Sequence, residues 1–167
     1  MDFLELTKKR YSVRAYKSTP VEDEKLKQIL EAARMAPTGS NQQAFQLVVV
    51  HTKGREEELR PIYNRDWFVQ APIIICACAT TIPGQAYDEG RSYRNVGIVM
   101  DHLILAATNL GLGTCWIGAF DANAARDILG LPKDVKPIVF ATVGYSDDEP
   151  GPKKRKPIDE LVRYGHW

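Results

Sequence analysis

The sequence predicts a mixed fold of the α/β or α+β class. Apolar residues recur at helical spacing in two segments, one that follows Val21 and one that covers residues 88–110. Three apolar, strand-like runs lie between and beyond these segments, at 45–51, 73–79 and 138–145. Because helical and strand-like segments are interspersed along the chain, the pattern leaves both mixed classes open.

In the first half of the chain, acidic residues and prolines mark the ends of the predicted helices and strands. Residues 2–9 predict a short helix, and a second helix opens at 21–24, where carboxylates face the positive end of the helix dipole. Pro37 ends this second helix. The polar segment 53–65 predicts a short helix and a loop, and Pro72 introduces the second strand. The apolar stripe of the second helix consists of Leu26, Ile29, Leu30 and Ala33.

A loop at 80–89 leads into the long helix at 88–110, which is apolar on more than one side. We therefore expect deep burial of this helix, including at a subunit interface. Gly111-Leu112-Gly113 ends it, and a short strand follows at 114–117.

Asp121 predicts the N-cap of a helix that ends near Gly130, since Pro132 lies just beyond. After the strand at 138–145, a polar and basic tail begins at Asp147, with the basic run 153–156 followed by the segment 158–162. The composition of this tail also fits a disordered, soluble C-terminus.

Length and composition favour a single soluble domain over residues 1–167. Lys and Arg total 22 against 21 Asp and Glu, which argues against a nucleic-acid binder that relies on bulk charge. No apolar run reaches the ~18 residues of a membrane span, and the N-terminus lacks a signal-peptide pattern. The three cysteines, Cys76, Cys78 and Cys115, include no Cys-x-x-Cys pair, which favours a cytoplasmic protein. We expect Cys76 and Cys78 to be buried on one face of a strand, without a disulfide.

Two short segments carry the chemistry. Arg10 and Arg14 flank the hydroxyl of Ser12, and the turn at 37–43 is rich in small and amide side chains. Arginine binds phosphate well because its planar fork donates two parallel hydrogen bonds. Together the segments predict a site for a phosphorylated cofactor with a hydrogen-bonding ring, although the arginines alone also fit a solvated helix end.

Other signals of cofactor or metal chemistry fail on spacing. Gly111-x-Gly113 begins like a dinucleotide fingerprint, but position 116 is Trp and the glycines follow a helix. His51, His102 and His166 are scattered, so we expect no metal site. No Gly-x-Ser-x-Gly nucleophile motif occurs.

Five segments, taken in order, resemble the nitroreductase family of FMN-dependent oxidoreductases. The matching segments are Lys9 to Tyr16, Ala36 to Phe45, Ala71-Pro72, Gly111 to Gly118 and Pro152 to Arg155. The resemblance implies a three-layer α-β-α fold of the α+β class, with a central, mostly antiparallel sheet. It also implies an intertwined homodimer with two FMN sites at the interface, which the long helix and the chain termini would help to form.

The resemblance also implies which residues bind FMN. Residues matching phosphate and ribityl contacts are Arg10, Tyr11, Ser12, Arg14, Lys153 and Arg155. Residues matching the loop that lies along the ring from the other subunit are Pro37, Thr38, Gly39, Ser40 and Asn41. Ile117, Gly118 and Ala119 match the turn whose backbone N–H faces flavin N5, and Asn64 matches an asparagine at the pyrimidine edge.

The implied activity is ping-pong electron transfer from NADH or NADPH, through the flavin, to a small electron-poor acceptor such as a nitroaromatic or a quinone. The flavin is then the reactive group, and we expect no catalytic side chain. The alternatives are a flavin-binding redox sensor or FMN store, a specialised oxidase or dehalogenase of the same family, and a plain interaction domain.

Three departures from the family pattern leave the acceptor open. Gln43-Ala44-Phe45 replaces a Gln-Pro-Trp, and Gly118-Ala119 replaces an acid followed by glycine. The insertion that covers the substrate pocket in larger members is reduced here to 80–94. Candidate aromatic residues for stacking on an acceptor, each of which also fits plain packing, are Trp67, Phe68, Tyr87, Tyr93 and Phe120.

Overall fold

The computed structural model describes residues 2–167, which form helices on both faces of one four-stranded sheet. The helices are α1 (Phe3–Lys9), α2 (Asp23–Arg34), α3 (Glu56–Leu59), α4 (Asp66–Gln70), α5 (Glu89–Asn109), α6 (Ala122–Leu129) and α7 (Ile158–Leu161). The strands are β1 (Phe45–His51), β2 (Ile73–Ala79), β3 (Gly113–Ile117) and β4 (Lys136–Gly144). A 3₁₀ turn covers Gly39–Asn41.

Aspartate side chains begin three of the helices. The Asp2 carboxylate accepts a hydrogen bond from the backbone of α1, and Asp88 accepts one from the Arg91 backbone N–H at 2.8 Å. The predicted cap Asp121 is confirmed, because its carboxylate accepts hydrogen bonds from two backbone N–H groups of α6. Gly130 ends α6 with φ 63°, a left-handed conformation that glycine adopts at little cost.

The sheet has the strand order β1-β2-β4-β3, and all three pairings are antiparallel. β3 is an edge strand, and its outer side meets the N-terminal segment through a parallel bridge between Ser12 and Thr114. This topology confirms the predicted mostly antiparallel sheet. It also brings Ser12 beside a strand that lies a hundred residues further along the chain.

β2 is buried along its whole length because helices cover both faces of the sheet. Ile73 and Ile75 face a core cluster formed with α2 and α5. Ile74 and Cys76 face a second cluster, which includes Phe68 and Phe140. The predicted three-layer arrangement is therefore confirmed. A strand covered on both faces shows no alternation of polar and apolar residues, which accounts for the continuous apolar run.

The two cysteines of β2 are buried in the second cluster, as predicted. Their sulfur atoms lie 3.5 Å apart as free thiols. The interaction with Cys78, followed by burial, raises the pKa of the Cys76 thiol. We therefore treat the pair as core residues.

α5 is the central helix of one layer, with 21 residues and Asp88 as its N-cap. Its buried side chains pack on α2 and the sheet, whereas Tyr93 and Ile98 remain exposed. Among the helices of residues 2–167, none combines the length and apolar character that a membrane crossing requires.

The sequence prediction was wrong in two places that tertiary contacts decide. The helix α4 was not predicted, because five residues are too few for helical spacing and burial of Phe68 and Val69 stabilises them. β4 begins at Lys136, two residues earlier than predicted, because it pairs with β2 beyond an irregularity in the register at Ala77 and Cys78.

Candidate functional site

The N-terminal segment lies tightly against the start of β3. Val13 is fully buried, and its backbone N–H donates a hydrogen bond to the Thr114 carbonyl at 3.0 Å. A Cβ atom at Gly113 would lie only 2.5 Å from a methyl carbon of Val13. Gly113 is therefore a packing glycine, which allows the segment with Arg10, Ser12 and Arg14 to approach the strand.

A buried hydrogen-bond network holds this segment in place. The Tyr16 hydroxyl donates to the Val13 carbonyl at 3.0 Å and lies 2.6 Å from the Thr142 hydroxyl oxygen. That oxygen also accepts a hydrogen bond from the Cys115 backbone N–H at 3.1 Å. Burial raises the pKa of Tyr16, so its hydroxyl stays neutral and keeps donating across the physiological pH range.

Asp148 fixes two residues of the segment and was not anticipated from the sequence. Its carboxylate accepts hydrogen bonds from the Arg14 backbone N–H at 2.7 Å and from the Tyr11 hydroxyl at 3.1 Å. The Tyr11 hydroxyl also lies 2.8 Å from the Asp148 carbonyl. Because 134 residues separate Asp148 from Arg14, no local pattern could have indicated this contact.

Cations from both ends of the chain meet here. The Lys153 ammonium group donates to the Lys8 carbonyl. Desolvation, followed by the charges of Arg10 and Arg155, lowers the pKa of Lys153. In the part of the chain that the structure describes, Arg10, Lys153 and Arg155 form no ion pair with a carboxylate. A group of cations that repel one another and form no ion pair among the described residues is suited to an anion with several charges.

Ser12 and Arg14 belong to the same neighbourhood. Burial raises the pKa of the Cys115 thiol, against the opposing effects of Arg14, Ser12 and Arg10. A cavity of about 110 Å³ lies between Arg10 and Tyr11 on one side and the Gly111–Gly113 turn on the other, and neither Ser12 nor Arg14 lines it. The predicted phosphate-binding residues Arg10, Ser12, Arg14, Lys153 and Arg155 are thus brought together. Tyr11 joins them, although its hydroxyl is engaged by Asp148.

The far end of β3 leads to a turn with free backbone donors. Ile117 is buried in the second core cluster, whereas Gly118 and Ala119 are exposed. Within residues 2–167, neither the Gly118 nor the Ala119 N–H donates a hydrogen bond to another residue. The strand β3 lies between this turn and the cationic group, and the four steps from its first to its last residue span about 13 Å at roughly 3.3 Å per step.

Asn64 lies in the neighbourhood of this turn. The Asp121 backbone N–H donates to the Ile62 carbonyl at 2.9 Å, which joins the segment after β3 to the loop that carries Asn64. The Asn64 side chain is exposed. The edge strand thus runs from the cations to a second set of polar groups, an arrangement that suits an elongated ligand with an anionic end.

The segment Pro37–Asn41 lies elsewhere in the chain. The Gly39 backbone N–H donates to the Asn95 side-chain oxygen on α5 at 3.1 Å. Ser40 and Asn41 have φ values of 52° and 53°, a strained left-handed conformation that often marks a functional loop. The cavity beside this loop shares no lining residue with the cavity beside Arg10. A single chain therefore does not bring the Pro37–Asn41 loop together with the predicted phosphate-binding residues around Arg10.

The aromatic candidates divide by burial. Phe68 is fully buried between Tyr63 and Phe140, so the hypothesis that it stacks on an acceptor is wrong. Phe120 packs edge-on against Phe140. Tyr93 is exposed and remains a candidate.

The fold and this arrangement define a class of protein with known members. The nitroreductase family model matches residues 7–64 and 55–145, and the chain belongs to the nitroreductase family.

Relatives along the whole chain agree with this assignment. The FMN reductase [NAD(P)H] of Bacillus subtilis is 30% identical, over 90% of this chain and 68% of that protein. An NADPH-dependent oxidoreductase of Staphylococcus aureus is 26% identical, over 97% of this chain and 72% of its own length. The crystal structure of a nitroreductase family protein from Clostridium difficile has a TM-score of 0.88 and 35% identity, and the match covers 100% of both chains.

Proposed function

We propose that the protein is an FMN-dependent oxidoreductase that takes electrons from NADH or NADPH and passes them to an electron-poor small molecule, such as a nitroaromatic or a quinone. The observation that carries this proposal is the edge strand β3, which joins a group of unpaired cations to a turn with free backbone donors. Family membership and the names of the relatives support the same reaction class.

The residues present fit FMN in their chemistry. Arg10, Arg14, Lys153 and Arg155 would hold the phosphate, because each supplies charge-assisted donors. The Ser12 hydroxyl would bind near the ribityl chain, and Asn64 would bind the pyrimidine edge. The Gly118 and Ala119 N–H groups would donate to N5. FMN, when bound, supplies the hydride chemistry, since no side chain in this arrangement can accept a hydride.

The work of the protein is then to bind and orient. Gly113 and Tyr16 position the N-terminal segment, and Asp148 fixes the Arg14 backbone. Because the hydrogen-bond donors are already held in place, no free energy is spent on reorienting them when charge develops during the reaction. We place no general acid or base among these residues.

We also propose that the protein is a homodimer in which the Pro37–Asn41 loop of one subunit completes the site of the other. The C-terminal tail carries apolar side chains that the described residues leave largely uncovered: Ile158 is 72% exposed and Tyr164 is 89% exposed. Phe3 and Leu4 of α1 are also exposed. Such residues at both termini are suited to packing on a second copy.

Sedimentation velocity tests the dimer. The full chain is expected to sediment as a dimer at micromolar concentration, and a variant that ends at Lys156 is expected to dissociate at concentrations at least tenfold higher. A full chain that remains monomeric with FMN present would contradict the proposal.

Steady-state kinetics tests the reaction. One pocket that serves donor and acceptor in turn predicts parallel double-reciprocal plots when NADPH is varied at several fixed concentrations of a quinone. Intersecting lines would instead require both molecules to be bound at once, which the proposed single pocket does not allow.

A further inference from the structure

A second cationic cavity lies between the 3₁₀ turn at Gly39–Asn41 and the first turns of α5. Its volume is about 440 Å³, and its lining includes Ser40, Gln42, Arg91, Arg94 and Asn95. None of its lining residues is acidic. It is separate from the cavity beside Arg10, so the proposed phosphate site of FMN does not account for it.

Asn95 is the buried polar residue at the base of this cavity. It is only 6% exposed, and its side-chain oxygen accepts the hydrogen bond from the Gly39 N–H. Its amide nitrogen carries two further donors. Within residues 2–167 that nitrogen donates no hydrogen bond, and it is not one of the fully buried side-chain atoms that lack a partner, so it is open to solvent. It is therefore available to an acceptor on a ligand.

The two arginines differ in how far they are engaged. Arg91 donates to the side-chain oxygens of Gln85 at 2.7 Å and Gln42 at 3.3 Å, and lies 3.7 Å from the Asp88 carboxylate. Arg94 forms no ion pair within the described chain, and its guanidinium lies close to Gly90. Within the described residues, Asp88 is the one carboxylate that pairs with either arginine, so these three side chains together carry a net positive charge.

We infer that this cavity binds a phosphate or carboxylate group on the molecule that exchanges electrons with the flavin. The inference rests on the proposed function, in which the neighbouring loop lies along the flavin ring of the partner subunit. An anionic group held by Arg94 and Asn95 would then lie beside the place where donor and acceptor bind. The group comes either from the donor, as the 2′-phosphate that distinguishes NADPH from NADH, or from an acidic acceptor.

Substitution of Arg94 separates these two sources. With a neutral quinone as acceptor, Arg94→Gln is expected to raise the KM for NADPH about tenfold and leave that for NADH unchanged, if the 2′-phosphate is bound. With NADH as donor, it is expected to raise the KM for 4-nitrobenzoate about tenfold, and not that for 4-nitrobenzyl alcohol, if the acceptor is anionic. Arg94→Lys, which keeps the charge, is expected to retain most of the wild-type preference.

Arg55→Gln is the matched control, because Arg55 is a surface arginine that pairs with Glu58 on the opposite layer. It is expected to change neither the preference for NADPH over NADH nor that for 4-nitrobenzoate over 4-nitrobenzyl alcohol. Unchanged ratios of NADPH to NADH and of nitrobenzoate to nitrobenzyl alcohol in Arg94→Gln would overturn the inference.

Direct binding measurements test the cavity without depending on electron transfer. The FMN-loaded protein is titrated calorimetrically with NADP⁺, NAD⁺ and 4-nitrobenzoate. Either NADP⁺ is expected to bind more tightly than NAD⁺, or 4-nitrobenzoate is expected to bind, and Arg94→Gln is expected to lose that binding. If the wild type transfers no electrons, the proposed function fails, and these titrations still decide whether the cavity binds an anion. Equal binding of all probes by wild type and variant would contradict the inference.

Discussion

Replacing Arg10 or Arg155 by alanine is expected to weaken FMN binding by about 10- to 150-fold in each case. A hydrogen bond to a charged group contributes about 1.5–3 kcal/mol, and every ~1.4 kcal/mol changes an affinity tenfold. Both residues lie in the group of cations that the tail and the N-terminal segment form together. Fluorescence titration of free FMN into the apo-protein measures the affinity.

The cofactor-free protein provides the sharper control. Without FMN, either substitution removes a repulsion among like charges, so the apo-protein should lose no thermal stability. The FMN-loaded protein should melt at a lower temperature than the wild type, because less binding free energy is linked to folding. Lys27→Ala, on the exposed side of α2, should change neither measurement. Wild-type FMN affinity in both arginine variants would show that the phosphate is bound elsewhere.

Phe68→Ala is expected to lower the free energy of unfolding by about 3–5 kcal/mol, the usual cost of emptying a large aromatic site in a core. Phe68 is fully buried, and its ring lies 5.7 Å from Tyr63 and 5.9 Å from Phe140 in edge-to-face geometry. It also anchors the short helix α4, which has too few residues to be stable alone. Urea unfolding of the apo-protein, followed by circular dichroism, gives the value.

Met35→Ala is the matched control for this loss of stability. Met35 is an equally apolar side chain at the end of α2, but it is 65% exposed. Its removal should cost less than about 0.5 kcal/mol, as surface substitutions generally do. A Phe68 variant as stable as this control would mean that Phe68 does not fill the second core cluster.

Local signals in the sequence predicted the elements well. Asp121 and Gly130 mark the two ends of α6 through hydrogen bonds and dihedral angles that involve only a few neighbouring residues. The apolar run of β2 predicted a buried strand because a strand covered on both faces needs no polar positions. These features depend on residues close in the chain, which is why one sequence contains enough information to place them.

The parts of the site that were missed depend on distant contacts. Asp148 binds the Arg14 backbone across 134 residues, and Asn95 binds Gly39 across 56. Each looks like an ordinary polar residue in its own segment. The group formed by Arg10, Lys153 and Arg155 came from the family resemblance and not from any local pattern, since the tail by itself resembles a solvated terminus.

The resemblance also explains why the loop at Pro37–Asn41 could be named but not located. A role implied for the other subunit cannot be read from the topology of one chain. The left-handed conformation of Ser40 and Asn41 and the hydrogen bond to Asn95 hold the loop beside the start of α5. The loop is therefore remote from the cationic group around Arg10. A symmetric dimer is the arrangement in which such a loop can complete a site that its own chain does not reach.

The proposed function requires that the protein bind FMN and reduce it with a nicotinamide. The most direct test is the visible spectrum of the purified protein, loaded with FMN, before and after NADPH or NADH is added without oxygen. We expect flavin absorption near about 370 and 450 nm that is lost within seconds of the addition. A protein that takes up no FMN, or whose bound flavin keeps its absorption with both nicotinamides, would contradict it.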